Sequence, residues 1–157
     1  MNAMAYPIKG KLLEDFQIGE VFQSHGRTLT EADLVNFLGY VGDYEPVHAD
    51  EEFAKKTPLG RRIMNGSAVT SAVDGLISRM GLFEGTAISI LACSWEFKAP
   101  VFINDTVRAE VKIAEARPSK KGGRGVVVFA INVLNQAGQA VITGSWTMLM
   151  LSRSGVA

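Results

Sequence analysis

The stretch from Gly42 to Asp50 reads Gly-Asp-Tyr-Glu-Pro-Val-His-Ala-Asp and brings a carboxylate, a proline and an imidazole close together in the chain. An aspartate and a histidine that share a bound water can take up and return its protons, which is general acid–base chemistry. Beyond them, Asn65-Gly66-Ser67-Ala68-Val69 opens an apolar segment. The start of a helix offers free N–H groups to a developing negative charge. This stretch and the helix start beyond it therefore indicate a possible active site.

The segment 43–60 must fold back on itself if its aspartate and histidine are to meet. Fully extended chain would separate two residues five apart by roughly 17 Å, at about 3.3–3.6 Å per residue. Pro46 makes a turn plausible between them. The mixture of prolines and charges follows neither the helical nor the strand period, so we predict a long ordered loop with a short helical turn near residues 51–55.

Two helices flank this loop in the sequence pattern. Thr30 and Asp33 have the spacing of a capping box, although Glu or Gln is the usual third partner, and a short helix follows. Its expected buried residues are Leu34, Val35, Phe37 and Leu38, and its expected stops are Gly39 and Gly42. Asn65 is a helix cap for a second, longer helix that ends at Gly81. Apolar residues at helical spacing form one broad face of it: Ala68, Val69, Ala72, Val73, Leu76, Ile77 and Met80.

The remaining pattern is mostly strand. A short strand is expected within 19–29, and four longer runs, 88–97, 107–113, 127–133 and 142–151, are separated by turn signals. Residues 1–15 are expected to be irregular, with Phe16 and Ile18 as the first anchors. The order predicts one α+β domain over residues 1–157, in which an antiparallel meander packs on one long helix.

Composition excludes several classes of function. Sixteen basic residues balance sixteen acidic ones, so no overall field attracts nucleic acid or an anionic membrane. The single cysteine, Cys93, has no internal disulfide partner, and the cysteine and two histidines lack zinc-ligand spacing. No apolar run reaches the length of a membrane span, and the N-terminus lacks the pattern of a secretory signal. We therefore expect a cytoplasmic protein without a bound metal.

The loop motif resembles that of a known family. Gly42 to His48, followed by Phe53-Ala54, Gly60 to Gly66, Phe97 to Val101 and Asn104-Asp105, resembles the MaoC-like acyl dehydratases, which include the (R)-specific enoyl-CoA hydratases. The resemblance runs from about Phe16 to Leu151. It implies a single hotdog domain, in which an antiparallel sheet wraps around a long central helix, and a homodimer or higher homo-oligomer whose sheets join edge to edge.

The resemblance also implies an activity, in fatty acid metabolism. This is reversible addition of water to a 2-enoyl-CoA or related thioester, with coenzyme A, or an acyl carrier protein, as part of the substrate and no other cofactor. Asp43 and His48 would hold the reacting water between them, and the N–H of Gly66 would bind the thioester oxygen. Residues beside these are expected to contact the substrate: Glu45, Arg61, Arg62, Asn65 and Ser67.

Two positions depart from the family's usual motif. The family commonly has Asn where this chain has Glu45, and His where it has Asn65. A second carboxylate near the site keeps open another hotdog activity, thioester hydrolysis. The two departures together also keep open a catalytically silent subunit that binds an acyl-CoA or pairs with an active partner.

Overall fold

A computed structural model of the chain describes residues 8–156. It has four α-helices: α1 Glu31–Val41, α2 Pro46–Ala49, α3 Glu51–Ala54 and α4 Gly66–Ser78. It has six strands: β1 Val21–Gln23, β2 Arg27–Thr28, β3 Ala87–Phe97, β4 Thr106–Pro118, β5 Arg124–Leu134 and β6 Ala140–Leu151. The predicted α+β class is confirmed. No helix within 8–156 has the length and apolar character needed to cross a membrane.

The sheet is antiparallel, with strand order β1-β4-β5-β6-β3 and with β2 paired to β4. Strands β4, β5 and β6 form the expected meander, and Asn135 closes the last hairpin by accepting hydrogen bonds from the N–H groups of Ala137 and Gln139. The prediction was wrong for β3, which pairs with β6 at the sheet's edge instead of with β4, its neighbour in the sequence. Strand periodicity reports which face is apolar and carries no information about the pairing partner.

Helix α4 packs against the inner face of this sheet. The predicted apolar positions within the helix are all buried, and Met80, which lies beyond the helix end, is partly buried. On β4, alternate residues Val107, Ala109, Val111 and Ile113 are fully buried, because a period of two points them all to the same side. Helix and sheet thus share one apolar core, and the N-terminal end of α4 is held in a fixed place by it.

Helix α1 begins as its sequence predicts. The Thr30 hydroxyl accepts the N–H of Asp33 at 3.4 Å, and the Asp33 carboxylate accepts the N–H of Thr30 at 2.8 Å. The helix continues through the expected stop at Gly39 and ends at Gly42, whose φ of 74° favours glycine. Leu34 and Leu38 are buried and Phe37 half-buried, but the prediction for Val35 was wrong, since its side chain is 55% exposed.

The N-terminal segment is more ordered than its sequence suggested. Residues Leu13–Asp15 form a 3-10 helix, where an irregular segment was predicted for 1–15. Leu13 and Phe16 are buried, and the Phe16 ring meets that of Phe129 edge to face at 5.5 Å. The anchor predicted at Ile18 was wrong, because this side chain is 70% exposed. Residues 1–7 of the predicted segment lie outside the described part of the chain.

Candidate active site

Helix α2 explains how the loop folds back. The sequence suggested only a turn at Pro46, but this proline is the first residue of a short helix, where its fixed φ is suitable and its missing N–H is not needed. The backbone N–H of His48 donates to the carbonyl of Glu45 at 2.8 Å. His48 is therefore carried on a helical turn that starts three residues after Asp43, which the periodicity of the loop could not show.

The ring of His48 is held in one tautomer. Its Nδ1 lies 3.0 Å from the backbone oxygen of Ile63. A carbonyl oxygen only accepts, so Nδ1 carries the proton and, in the neutral ring, Nε2 is left as an acceptor. The half-buried imidazole thus presents one basic nitrogen in a fixed orientation, as a general base requires.

Arg62 fastens the segment around His48. Its guanidinium donates to both carboxylate oxygens of Glu31 at 2.8 Å and to Glu51 at 3.1 Å, and a weaker contact of 3.4 Å reaches the His48 carbonyl. The hydrogen bonds that Arg62 donates to Glu31, in α1, are the largest cause of the raised pKa of Arg62. The predicted contact of Arg62 with substrate has no support in this arrangement, because two carboxylates of the chain already neutralise the cation.

The start of α4 offers the N–H group that the sequence indicated. Asn65 caps the helix, as predicted, and its Oδ1 accepts the N–H groups of Ser67 at 2.9 Å and Ala68 at 3.2 Å. Within residues 8–156, the N–H of Gly66 has no protein acceptor. A free N–H at the positive end of a thirteen-residue helix can bind an oxyanion.

Asp43 reaches this helix start through Asn65. Its Oδ2 accepts from the Nδ2 of Asn65 at 2.6 Å, and its Oδ1 lies 3.4 Å from the N–H of Glu45. The half-buried carboxylate is therefore connected to the residue that precedes Gly66. Asn65 itself is only 7% exposed and uses both ends of its amide within the protein. These hydrogen bonds within the protein differ from the direct contact with substrate that was expected of Asn65.

His48 and Gly66 border the same cavity, of about 420 Å³. Its lining is mainly apolar and consists of His48, Ile63, Met64, Gly66, Val69, Phe97, Lys98, Ala99, Pro100, Val101 and Ile142. A Cβ atom placed on Gly66 would lie 2.8 Å from Cε1 of Phe97, so a side chain at residue 66 would displace that ring. The cavity is large enough for a short acyl group.

The sequence did not predict most of this lining. The stretch from Phe97 to Val101 contributes only to the family resemblance, and the pattern around Ile142 predicts a strand without a functional role. Phe97 pairs with Ile142 in the register of β3 and β6, which brings both to the cavity. No local pattern could have shown this, because the periodicity of a strand does not indicate which other strand it pairs with.

The remaining predicted substrate contacts lie at the surface. Glu45 and Ser67 are exposed, and neither lines the cavity. Arg61 is exposed and stacks on Phe102, with its guanidinium carbon 3.9 Å from the ring centre. A cation over an aromatic face is held in place without losing its charge. The predicted substrate contacts of these three residues stay predictions.

Two further titratable side chains, Asp74 and Cys93, lie outside the lining of this cavity. Asp74 lies on the exposed side of α4, where partial desolvation raises the pKa of its carboxyl group. Cys93 is a free, exposed thiol on β3. Across 8–156, no three or more His, Cys, Asp or Glu side chains cluster as they would around a metal ion.

Similarity to known proteins agrees with this geometry. The family described as MaoC like domain matches residues 15–133. An (R)-specific enoyl-CoA hydratase from Rhodospirillum rubrum is 31% identical over 140 residues, which cover 89% of this chain and 92% of that protein. The X-ray structure of a monoamine oxidase regulatory protein from Archaeoglobus fulgius has a TM-score of 0.85 at 32% identity and covers 91% of this chain and 95% of its own.

The fold itself recurs at lower identity. A Mycobacterium tuberculosis protein with a double hotdog fold has a TM-score of 0.79 at 14% identity, with 93% of this chain and 46% of that chain covered. Such a likeness concerns the fold alone. Together with the match that extends over most of the sequence, it shows that this chain has the hotdog fold and belongs to the MaoC-like dehydratase family.

Proposed function

We propose that this protein catalyses the reversible addition of water to the double bond of a 2-enoyl-CoA or a related unsaturated acyl thioester. One observation carries the proposal: His48, whose Nδ1 lies against the Ile63 carbonyl, and Gly66, whose N–H has no protein acceptor within residues 8–156, line the same mainly apolar cavity. The enoyl-CoA hydratase named among the relatives supports the same reaction.

The groups in the site match the parts that hydration needs. Asp43 and His48 together take a proton from water as its oxygen bonds to the β-carbon of the substrate. The electron pair of the double bond moves toward the thioester, whose oxygen becomes an enolate and is stabilised by the N–H of Gly66. The α-carbon then receives a proton from the same acid–base pair. Water and protons are the only species moved, so the step needs no redox cofactor.

The experiment is an assay with crotonyl-CoA and with a branched or dicarboxylic analogue. Loss of the enoyl absorbance without release of thiol is the expected result. Thiol release would show hydrolysis instead, and Glu45 would then be the carboxylate to examine. Binding without either reaction would identify a silent subunit. If none of these thioesters reacts, and the same acyl groups on an acyl carrier protein are also inert, hydration is contradicted.

We also propose that the protein is a homodimer formed through β3. This strand is eleven residues long, lies at the edge of the sheet and exposes four large apolar side chains: Ile88, Ile90, Leu91 and Phe97. An exposed, apolar strand edge is a template for pairing with another chain. A second copy placed with β3 against β3 would satisfy both edges and cover these side chains.

A charge on this strand should break the dimer. We expect Ile90→Lys to shift the molar mass from that of two chains to that of one, because burying an unpaired ammonium in the interface is costly. Val35→Lys on α1 is the matched control, since both side chains are 55% exposed. The masses would be measured by analytical ultracentrifugation. A monomeric wild type, or a dimeric Ile90→Lys, would contradict the interface.

A further inference from the structure

Asn65 is a buried side chain with two separate connections. Its Oδ1 accepts the N–H groups of Ser67 and Ala68 in the first turn of α4, at 2.9 and 3.2 Å. Its Nδ2 donates to Oδ2 of Asp43 at 2.6 Å. A side chain that only capped the helix would need the first connection alone, as Ser, Thr or Asp would also provide it.

The helix determines which way the amide points. A flipped amide would turn its NH₂ group toward the two N–H donors of α4 and its oxygen toward the Asp43 carboxylate, and both contacts would be repulsive. The cap therefore fixes Nδ2 as the atom that faces Asp43. Through this one side chain, the orientation of the carboxylate is tied to the axis of the central helix.

Little else orients that carboxylate. Asp43 directly follows the end of α1 at Gly42, and its other contact is the long one, 3.4 Å, from the N–H of Glu45. Across 8–156, no other side chain donates to it. His48, in contrast, is held independently, through Ile63 and Arg62.

We infer that Asn65 is a positioning residue for hydration, which aims the Asp43 carboxylate at the reacting water. The effect of Asn65 on turnover rests on the proposed function. This positioning role replaces the substrate contact that the sequence suggested for Asn65. Asn65 then connects two parts of the site. It orients Asp43, and it directly precedes Gly66, whose N–H binds the enolate oxygen.

The test distinguishes the Oδ1 atom of Asn65, which caps α4, from its NH₂ group, which donates to Asp43. Asn65→Ser keeps an oxygen that can cap α4 and loses the NH₂ group, whereas Asn65→Asp would place a second carboxylate against Asp43. We expect Asn65→Ser to keep a thermal midpoint close to that of wild type. We expect kcat for crotonyl-CoA hydration to fall about 10- to 100-fold with little change in KM, since misplacement of a catalytic group by 1 Å costs up to about 100-fold. Asn132→Ser is the matched control, because the Asn132 amide also faces a carboxylate, that of Glu110, and is exposed.

A double-mutant cycle tests whether Asn65 acts on turnover through Asp43. In an Asp43→Asn background, Asn65→Ser should cost nothing further, because there is no carboxylate left to aim. An equal loss in both backgrounds, or a change confined to KM, would overturn the inference. So would wild-type kcat in Asn65→Ser.

A second readout does not depend on turnover. The side-chain NH₂ signal of Asn65, assigned by its absence from the Asn65→Ser spectrum, should move upfield in ¹⁵N-labelled Asp43→Ala when the hydrogen bond to the carboxylate is lost. An unchanged signal would overturn the contact itself. If wild type fails to hydrate any thioester, the proposed function fails, and this signal still decides whether Asn65 holds Asp43.

Discussion

Asp43→Asn is expected to lower the turnover of crotonyl-CoA hydration by about 10²–10⁴-fold, the usual contribution of a positioned acid–base group. The amide has the shape of the carboxylate but cannot take a proton from water. His48→Ala is expected to lower turnover in the same range, because it removes the one basic nitrogen that the Ile63 carbonyl leaves free. Initial rates at saturating substrate would give kcat for each variant.

The fold should survive both changes. Neither side chain belongs to the buried core: Asp43 lies in the loop between α1 and α2, and His48 lies in the four-residue helix α2. Glu52→Gln is the control, because Glu52 is an exposed carboxylate on α3 with a surface ion pair to Lys55. Such pairs contribute little to stability. Wild-type rates in both Asp43→Asn and His48→Ala would falsify the assignment of the acid–base pair.

Gly66→Pro should lower kcat by about 10²–10³-fold, the range measured when one oxyanion donor is removed. Proline is well tolerated as the first residue of a helix, where Gly66 lies. Asn65, with φ −62° and ψ 132°, already has the backbone conformation that a residue before proline prefers. The substitution therefore removes the N–H of Gly66, a residue that lines the cavity, and leaves α4 able to form.

Gly66→Ala is the matched control for this change. Both substitutions place a Cβ atom 2.8 Å from the Phe97 ring, which must move aside in either variant. Alanine keeps the N–H, however. The ratio of the two kcat values thus removes the steric effect of the Cβ atom and leaves the replacement of the amide hydrogen by the proline Cδ as the difference. Equal kcat values in the two variants would show that this N–H does not stabilise the transition state.

The two departures from the family's usual motif have different structural consequences. Glu45 is exposed and makes no side-chain cap hydrogen bond to α2, and among residues 8–156 its carboxylate has no hydrogen-bond donor. Asn65 is buried and bonded at both ends. Asn65 is thus the departure that changes the hydrogen bonds within the site, because it connects Asp43 with the start of α4. An amide can serve the helix and the carboxylate at once, since it carries an acceptor and a donor on one planar group.

The sequence was sufficient for features that depend on neighbouring residues. The capping box at Thr30, the Asn65 cap and the apolar face of α4 were predicted correctly, because caps and helical periodicity act within one or two turns. The alternation along β4 and the turn after β5 were predicted for the same reason. The family motif then identified Asp43, His48 and Gly66 as one candidate site.

Only the tertiary structure decided what depends on residues far apart in the chain. It placed β3 beside β6, so that Phe97 and Ile142 border the cavity with His48. It paired Arg62 with Glu31 and Glu51, and it put the Asn65 amide on Asp43. A hydrogen bond between distant residues depends on where the packed core leaves each side chain. The sequence therefore determined which groups could perform the chemistry, and the packing of α4 against the sheet decided which of them meet.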